Sequence, residues 1–558
     1  MYLNCNEGLQ ELASANSKII KRYNDILLFN STDAIKIKNR FDEDLSILSN
    51  LYHKCNYSKS LLNINYSNLL FTKFFIPRYQ NYRILNSEDS TLMHICSNLQ
   101  SLYDSLYLYK ISNNKLSEIE LQSKIDRNEN FINSIRNQGS KYLNDKYDSL
   151  IYCYKNIPKQ SITIEFNSFN ELTKSFKKTG NNLYQFYKND SRNNLKLISL
   201  FNENEISKYL KFNPNFIYKN KDFTSIFSNF LGVLNPSIPN VFYSPSGILH
   251  NINLGALKLD NGYYLLEKYN LHQMFSTADL TKHVNESQKG PIMLIGNVFY
   301  NSDEDSSNFQ VSNSMNDNFS LLNYISSEVK VSRSRSLNWT YLPSTKLEIN
   351  NIAKIYNSTN ISSSIWSENK ATEEMFKKLS GNSPKVIHLA THGYFFENVE
   401  NTIDNNYFKK NEESHFYEIN DDPMFRSGLI LSGANDAWIG HKIKTKEDGI
   451  LTAYEVSKLD LSNTDLVVLS ACETGLGDIN SSEGVFGLQR AFKLAGVKYI
   501  IMSLWSVPDK ETSEFMTYFY TFWLNGKTIY EAFRATQLQM ISKYRDYPEK
   551  WAAFILVE

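Results

Sequence analysis

The chain has 558 residues, 59 basic and 59 acidic side chains, 42% apolar and 14% aromatic residues. That apolar content can fill large cores and excludes disorder along the whole chain, while the length sets a prior of three to four domains at about 150 residues each. Balanced charge argues against a charge-driven nucleic-acid binder, and five cysteines with no Cys-x-x-Cys pair argue against a disulfide framework or a cysteine-rich zinc site and for a reducing compartment.

Residues 1–157 hold only two glycines, Gly8 and Gly139, and before Pro158 one proline, Pro77. Apolar residues recur at helical spacing, as in Leu99, Leu102, Tyr103 and Leu106, so stacked helices are expected, degenerate tetratricopeptide-like hairpins among the options. The start of the chain has no basic stretch leading into an apolar one, no apolar run approaches about 18 residues, and the Phe554-Ile-Leu-Val-Glu558 end has no prenylation box. A cytoplasmic protein with no membrane span is therefore expected.

Composition shifts near Pro158. Ser161–Phe166 alternates as a half-buried strand does, and strand-like runs follow at Leu195–Phe201, Asn240–Tyr243 and Tyr263–Tyr269, with turn signals at Ser244-Pro-Ser-Gly247 and Asp260-Asn-Gly262. This α/β segment is expected to end near residue 290. A second begins with the strand Ile292–Ile295, then a polar loop over 301–336 that contains Arg333 and Arg335. Helices are expected at Lys346–Tyr356, Ala371–Leu379, Gly484–Leu494, Lys510–Trp523 and Ile529–Ile541. Strands are expected at Val386–Ala390, Leu466–Ser470, Tyr499–Ser503 and Trp551–Leu556. Val- and Ile-rich strands alternating with helices imply a mainly parallel sheet covered on both faces, with chemistry beyond the carboxyl ends of its strands.

Two strand ends have the residues for chemistry: Val386-Ile-His-Leu-Ala-Thr-His-Gly393 and Leu466-Val-Val-Leu-Ser-Ala-Cys-Glu-Thr-Gly475. Each runs from an apolar strand through small residues to a reactive side chain and then glycine. If the strands are neighbours, His392 and Cys472 emerge on one sheet edge, where a thiolate can attack a carbonyl carbon while the histidine takes and returns the proton. The backbone N–H groups of Gly393 and Cys472 are candidate oxyanion donors. Cys5, Cys55, Cys96 and Cys153 lie among helical apolar positions and read as packing residues. His388 and His392 do not read as a metal pair, because four residues of strand span about 13 Å, and no metal or organic cofactor is expected.

His388–Gly393, Ser470–Gly475, Glu483–Phe492, Gly496–Asp509 and Pro548–Phe554 together resemble the CHAT domain, a caspase- and separase-like cysteine protease domain often found behind tetratricopeptide repeats. The resemblance covers about residues 158–558. It implies a caspase-like α/β fold in which 158–290 is a pseudo-protease half and 291–558 the active half, behind an all-helical region 1–157. It implies an endopeptidase with His392 as general base and Cys472 as nucleophile. Asp509 resembles a position near the separase specificity pocket, where an acid would favour Arg or Lys before the scissile bond; the alternative is that Asp509 caps the helix after it. Glu483 is a second pocket candidate, or a first-turn helix acid. Departures from the family pattern fall at Ser246, at Asn253-Leu254 and at Val298. Family members in bacteria tend to be latent and some act in RNA-guided defence, so an activating partner through 1–157 is expected beside a protein substrate, with nucleic acid met only indirectly through a complex. The 301–336 loop is then a candidate activation or self-cleavage segment. The rival reading is a non-enzymatic scaffold or partner-binding subunit of such a complex.

Overall fold

The structure, a computed structural model, describes residues 49–50, 62–63, 66, 69–70, 121, 123–124, 157–172, 178–282, 289–301, 338–396, 424–439, 447–470, 478–480 and 484–558. Most of 1–157, the loop 301–336 beyond Asn301, Cys5, Cys55, Cys96, Cys153, Cys472 and Glu483 lie outside them. Within 1–157 the described positions are helical except Ile157. Leu62, Tyr66, Leu69 and Leu70, at helical spacing, are buried together against Tyr187 and Ala278.

In chain order the strands are β1 (Ser161–Leu172), β2 (Lys178–Asp190), β3 (Lys196–Asn202), β4 (Asn240–Ser244), β5 (Asn270–Gln273), β6 (Ile292–Val298), β7 (Ser363–Glu368), β8 (Val386–Leu389), β9 (Gly393–Phe395), β10 (Ser427–Ile430), β11 (Ile450–Thr452), β12 (Leu466–Leu469), β13 (Asp478–Asn480), β14 (Gly484–Phe486), β15 (Tyr499–Ser503) and β16 (Phe554–Val557). Eleven of them form one sheet in the order β3-β2-β1-β4-β5-β16-β15-β12-β8-β6-β7. β1, β4, β5 and β16 run parallel to one another. β15 is antiparallel to β16, and β15, β12, β8, β6 and β7 are again parallel. The carboxyl ends of β6, β8, β12 and β15 therefore share one edge, and those of β1, β4 and β5 the opposite edge.

Alternation along each strand assigns the faces. Val386 and Ala390 of the β8 segment, with Leu466 and Val468 of β12, join the cluster packed by helices Pro343–Asn357, Asp509–Leu524 and Ile529–Tyr544. Ile387, Leu389, Val467 and Leu469 join the opposite cluster, with Trp438, Val456 and Phe492. Both faces are covered, which is why these strands read as continuous apolar runs. Among the described residues no helix is long and apolar enough to cross a membrane.

Four expectations need correction. Ser161–Phe166 is buried on both faces rather than half-buried, and one of its polar residues meets a buried polar partner: the Thr277 N–H donates to Glu165 Oε2 at 3.0 Å. Tyr263–Tyr269 contains a one-turn helix, Leu265–Lys268, started by the Tyr264 N–H donating to Glu267 Oε2 at 2.7 Å. Gly484–Leu494 splits into β14 and the helix Leu488–Leu494. The last strand begins at Phe554, with Trp551 fully buried in the preceding turn against the Tyr264 ring.

Candidate active site

The β8–β12 register pairs Leu466 with Val386 through Leu469 with Leu389, a constant offset of 80 residues. His392 and Cys472 are separated by the same 80 positions. The Ala390 N–H donates to Ile295 O at 2.7 Å and the Ser470 N–H to Leu389 O at 2.8 Å, so Gly296, Ala390, Ser470 and Ser503 form a row across the edge where the strands end. His392 lies two residues beyond Ala390. Cys472 follows Ser470 by two residues in sequence and is outside the described residues.

The half-buried His392 ring is held by a main-chain acceptor. Its Nε2 is 2.7 Å from Thr340 O. A carbonyl only accepts, so Nε2 carries a proton, and in the uncharged form of the ring Nδ1 is the basic nitrogen. The Trp339 and Tyr300 rings meet the imidazole at centroid distances of 5.0 Å and 5.1 Å. The Tyr300 hydroxyl, whose pKa burial pushes up, accepts from the His392 backbone N–H and lies 3.0 Å from Thr391 Oγ1.

Gly393 opens β9, the outer strand of the three-stranded sheet β11-β10-β9. Ile430 N donates to His392 O at 2.9 Å and Phe396 N to Arg426 O at 2.8 Å, which makes 392/430 and 396/426 hydrogen-bonded pairs. Gly393 sits opposite Leu429 in the intervening non-hydrogen-bonded pair, so its N–H turns away from β10.

The sequence profile of the CHAT domain matches residues 225–558, well over half of the chain. The chain belongs to the CHAT-domain family. Tetratricopeptide repeat protein 28 of Mus musculus and that of Homo sapiens are each 35% identical to it over 109 residues, 19% of this chain and 4% of theirs. The chain thus matches only a small part of those relatives. Among solved structures, the Saccharomyces cerevisiae separase–securin complex aligns over 98% of this chain and 37% of that one, at 12% identity and a TM-score of 0.47. The Porphyromonas gingivalis RgpB pro- and mature-domain complex aligns over 64% and 70%, at 11% identity and a TM-score of 0.33.

Within the CHAT domain, Asp509 is exposed and is the first residue of the helix Asp509–Leu524; the capping position is Pro508 and makes no side-chain bond. The capping alternative for Asp509 is thereby corrected: it is a first-turn acid that interacts with the helix dipole. The loop before it is fixed, since the Leu504 N–H donates to Ala553 O at 2.9 Å and Trp505 Nε1 to Glu549 O at 3.1 Å. His388, fully buried, is a packing residue: its Nε2 is 3.0 Å from Glu348 Oε1 and its Nδ1 3.1 Å from the Tyr520 hydroxyl. The carboxylates of Glu373, Glu447 and Glu455 converge as metal ligands can. Lys377 Nζ stands among them at 2.8, 2.7 and 2.8 Å, so an ammonium already pairs with all three carboxylates.

Sequence reasoning missed Thr340, Trp339, Tyr300 and Asn435 around His392. Thr340 acts through a carbonyl, which no side-chain pattern announces. Asn435 did leave a signal: Ser427-Gly-Leu-Ile-Leu-Ser-Gly-Ala-Asn435 repeats the sequence of apolar strand, small residues and polar side chain seen at the strand ends before His392 and Cys472.

Proposed function

We propose that this CHAT protein is a cysteine endopeptidase that cleaves a protein substrate through Cys472 and His392. The observation that carries this reading is the common offset of 80 between neighbouring parallel strands and between the two reactive residues. The tautomer imposed on His392 by Thr340 O agrees with it.

In this reading His392 Nδ1 takes the thiol proton, and the sulfur attacks the scissile carbonyl carbon. The N–H groups of Gly393 and Cys472 receive the oxyanion. The tetrahedral intermediate collapses as the imidazolium protonates the leaving amine, and a water deprotonated by the same imidazole releases the acyl group. A positioned base contributes roughly 10²–10⁴ in rate and an oxyanion donor on the order of 10²–10³. Asp509, exposed on the loop side of the same edge, and Glu483 are the proposed acidic groups that favour Arg or Lys before the scissile bond. We further propose that residues 1–157 receive an activating partner in bacterial defence, and that 158–290 serves as a pseudo-protease half beside the active half 291–558.

The test is a positional-scanning fluorogenic peptide library with wild-type, Cys472→Ala and His392→Ala proteins. Cleavage by wild type alone, strongest after Arg or Lys and losing that preference in Asp509→Asn, is the expected result. Normal cleavage by a folded Cys472→Ala protein contradicts the reading.

A further inference from the structure

The Thr340 carbonyl orients His392 only if the chain around it is itself held. Residues 338–342 form no helix or strand, so no ladder fixes them. The Tyr341 hydroxyl donates to Asn297 Oδ1 at one end of this segment, and a buried side chain holds the residue just before Thr340. Asn435, 2% exposed, accepts from the Trp339 N–H through Oδ1 at 2.7 Å and donates from Nδ2 to Trp339 O at 3.1 Å. Its carboxamide thus pairs with both backbone groups of one residue, as a neighbouring strand would. The same Nδ2 donates to Asn301 Oδ1 at 2.7 Å, and the Asn435 backbone N–H donates to Tyr300 O at 2.9 Å. Asn435 therefore ties together the two segments that carry the His392 contacts, Tyr300–Asn301 and Trp339–Thr340.

The element that supports Asn435 is suited to the task. Gly433, at φ +80°, opens the short helix Ala434–Trp438 and donates its N–H to Phe299 O at 3.2 Å. Trp438, at the other end of that helix, packs edge-on against Trp339 at 4.9 Å. Trp339 is in turn 5.0 Å from His392. A carboxamide is the one uncharged side-chain group with a planar acceptor and donor side by side, which matches the N–H and C=O of Trp339.

We propose that Asn435 is a positioning residue for the dyad: by fixing the backbone of Trp339 it aims the Thr340 carbonyl at His392 Nε2 and so keeps Nδ1 as the basic nitrogen. This rests on the protease reading for its consequence, though not for its geometry. A packing residue alone would affect stability; a positioning residue also controls which imidazole nitrogen carries the proton.

The experiment is long-range ¹H–¹⁵N spectroscopy of the full chain with ¹⁵N-labelled histidine, the His392 signal being assigned by its loss in His392→Ala. Wild type is expected to show the Nε2–H tautomer at neutral pH, and Asn435→Ala and the smaller change Asn435→Ser are expected to show a mixture with Nδ1–H. The same samples are then treated with iodoacetamide and Cys472 labelling is followed by mass spectrometry, with a drop of about tenfold expected in the variants, less than the roughly 10²–10⁴ a positioned base supplies because part of the imidazole keeps the Nε2–H tautomer. A folded variant with an unchanged tautomer overturns the proposal, as does an Nδ1–H tautomer in wild type should neither variant fold. Equal Cys472 labelling in wild type and His392→Ala overturns the protease reading instead, whatever the tautomer shows.

Discussion

The two histidines of the β8 segment stand in opposite environments at the scale of single residues. His388 points into the core and closes on Glu348, 5% exposed, while His392 leaves the strand and meets a main-chain carbonyl. Replacing His388 by Ala strands a buried carboxylate, and the expected cost is about 3–5 kcal/mol in urea unfolding. The paired change His388→Leu with Glu348→Leu removes both hydrogen-bonding partners and is expected to cost less than His388→Ala alone. Lys377 gives a pH-dependent counterpart. Burial, and then the Glu455 and Asp448 charges, hold the Glu373 carboxyl well above its ordinary value, with Lys377 opposing them. Lys377→Met is expected to lose about 3 kcal/mol at neutral pH, the lower end for a buried pair because Lys377 is 25% exposed. A carboxyl whose folded pKa is raised stabilises the fold below its unfolded value and loses that contribution as pH rises. The deficit of Lys377→Met should therefore shrink as pH is lowered from 7.5 towards 5, which unfolding midpoints at the two ends will show. The sequence singles out His392 because a reactive side chain follows a strand and precedes glycine. Its carbonyl and carboxamide supports are not singled out, because they act through the backbone of a segment with no periodic pattern.

Elements bring these residues to one place through close approach and capping. Gly296, where β6 reaches the edge, passes so near the helix Pro343–Asn357 that an added Cβ would lie 2.9 Å from Ile349 Cγ2 and 3.3 Å from Ala390 O. Gly296→Ala is expected to destabilise by about 1–3 kcal/mol through overpacking. Since Ala390 is two residues from His392, the same variant should also lose catalytic rate at unchanged substrate. The helix Ile529–Tyr544 starts with a reciprocal cap: the Glu531 N–H donates to Thr528 Oγ1 at 3.2 Å, and the Thr528 N–H to Glu531 Oε2 at 3.0 Å. Thr528→Ala should cost about 1 kcal/mol by thermal unfolding. β8, β12 and β15 were readable as apolar runs because both faces are buried. β2 was missed: its inward residues include Gln185 and Asn189, so it lacks the apolar alternation that marks a strand. β9, β10 and β11, of three or four residues each, are too short to carry a period. Tyr263–Tyr269 misled because its aromatic residues favour strands, whereas the Glu267 cap and the buried Tyr264 ring select a helical turn.

On the scale of the whole molecule, the segment boundary expected near residue 290 does not divide the core. β16, at the end of the chain, inserts between β5 and β15 and joins strands from both sides of that boundary into one sheet. Arg545 donates to Gly262 O at 3.1 Å and pairs with Glu267, Arg534 donates to Leu266 O at 3.0 Å, and the Tyr264 hydroxyl donates to Arg545 O at 2.7 Å. Asn253 donates through Nδ2 to Ala552 O at 2.7 Å and so ties the same two regions. A protein of residues 158–558 is therefore expected to unfold in one transition, and 291–558 expressed alone, with β16 lacking β5, is expected not to fold; two separate calorimetric transitions would contradict this. The halves could be seen in the sequence as two runs of strands and helices. Their fusion could not, because β16 pairs with residues almost 300 positions away. The measurement that tests the central claim most directly is the rate of iodoacetamide labelling of Cys472 at pH 7 in wild type and in folded His392→Ala. A fall of about tenfold or more in the variant is the result predicted for a thiol activated by the imidazole; equal rates would show that the two residues do not act as a dyad.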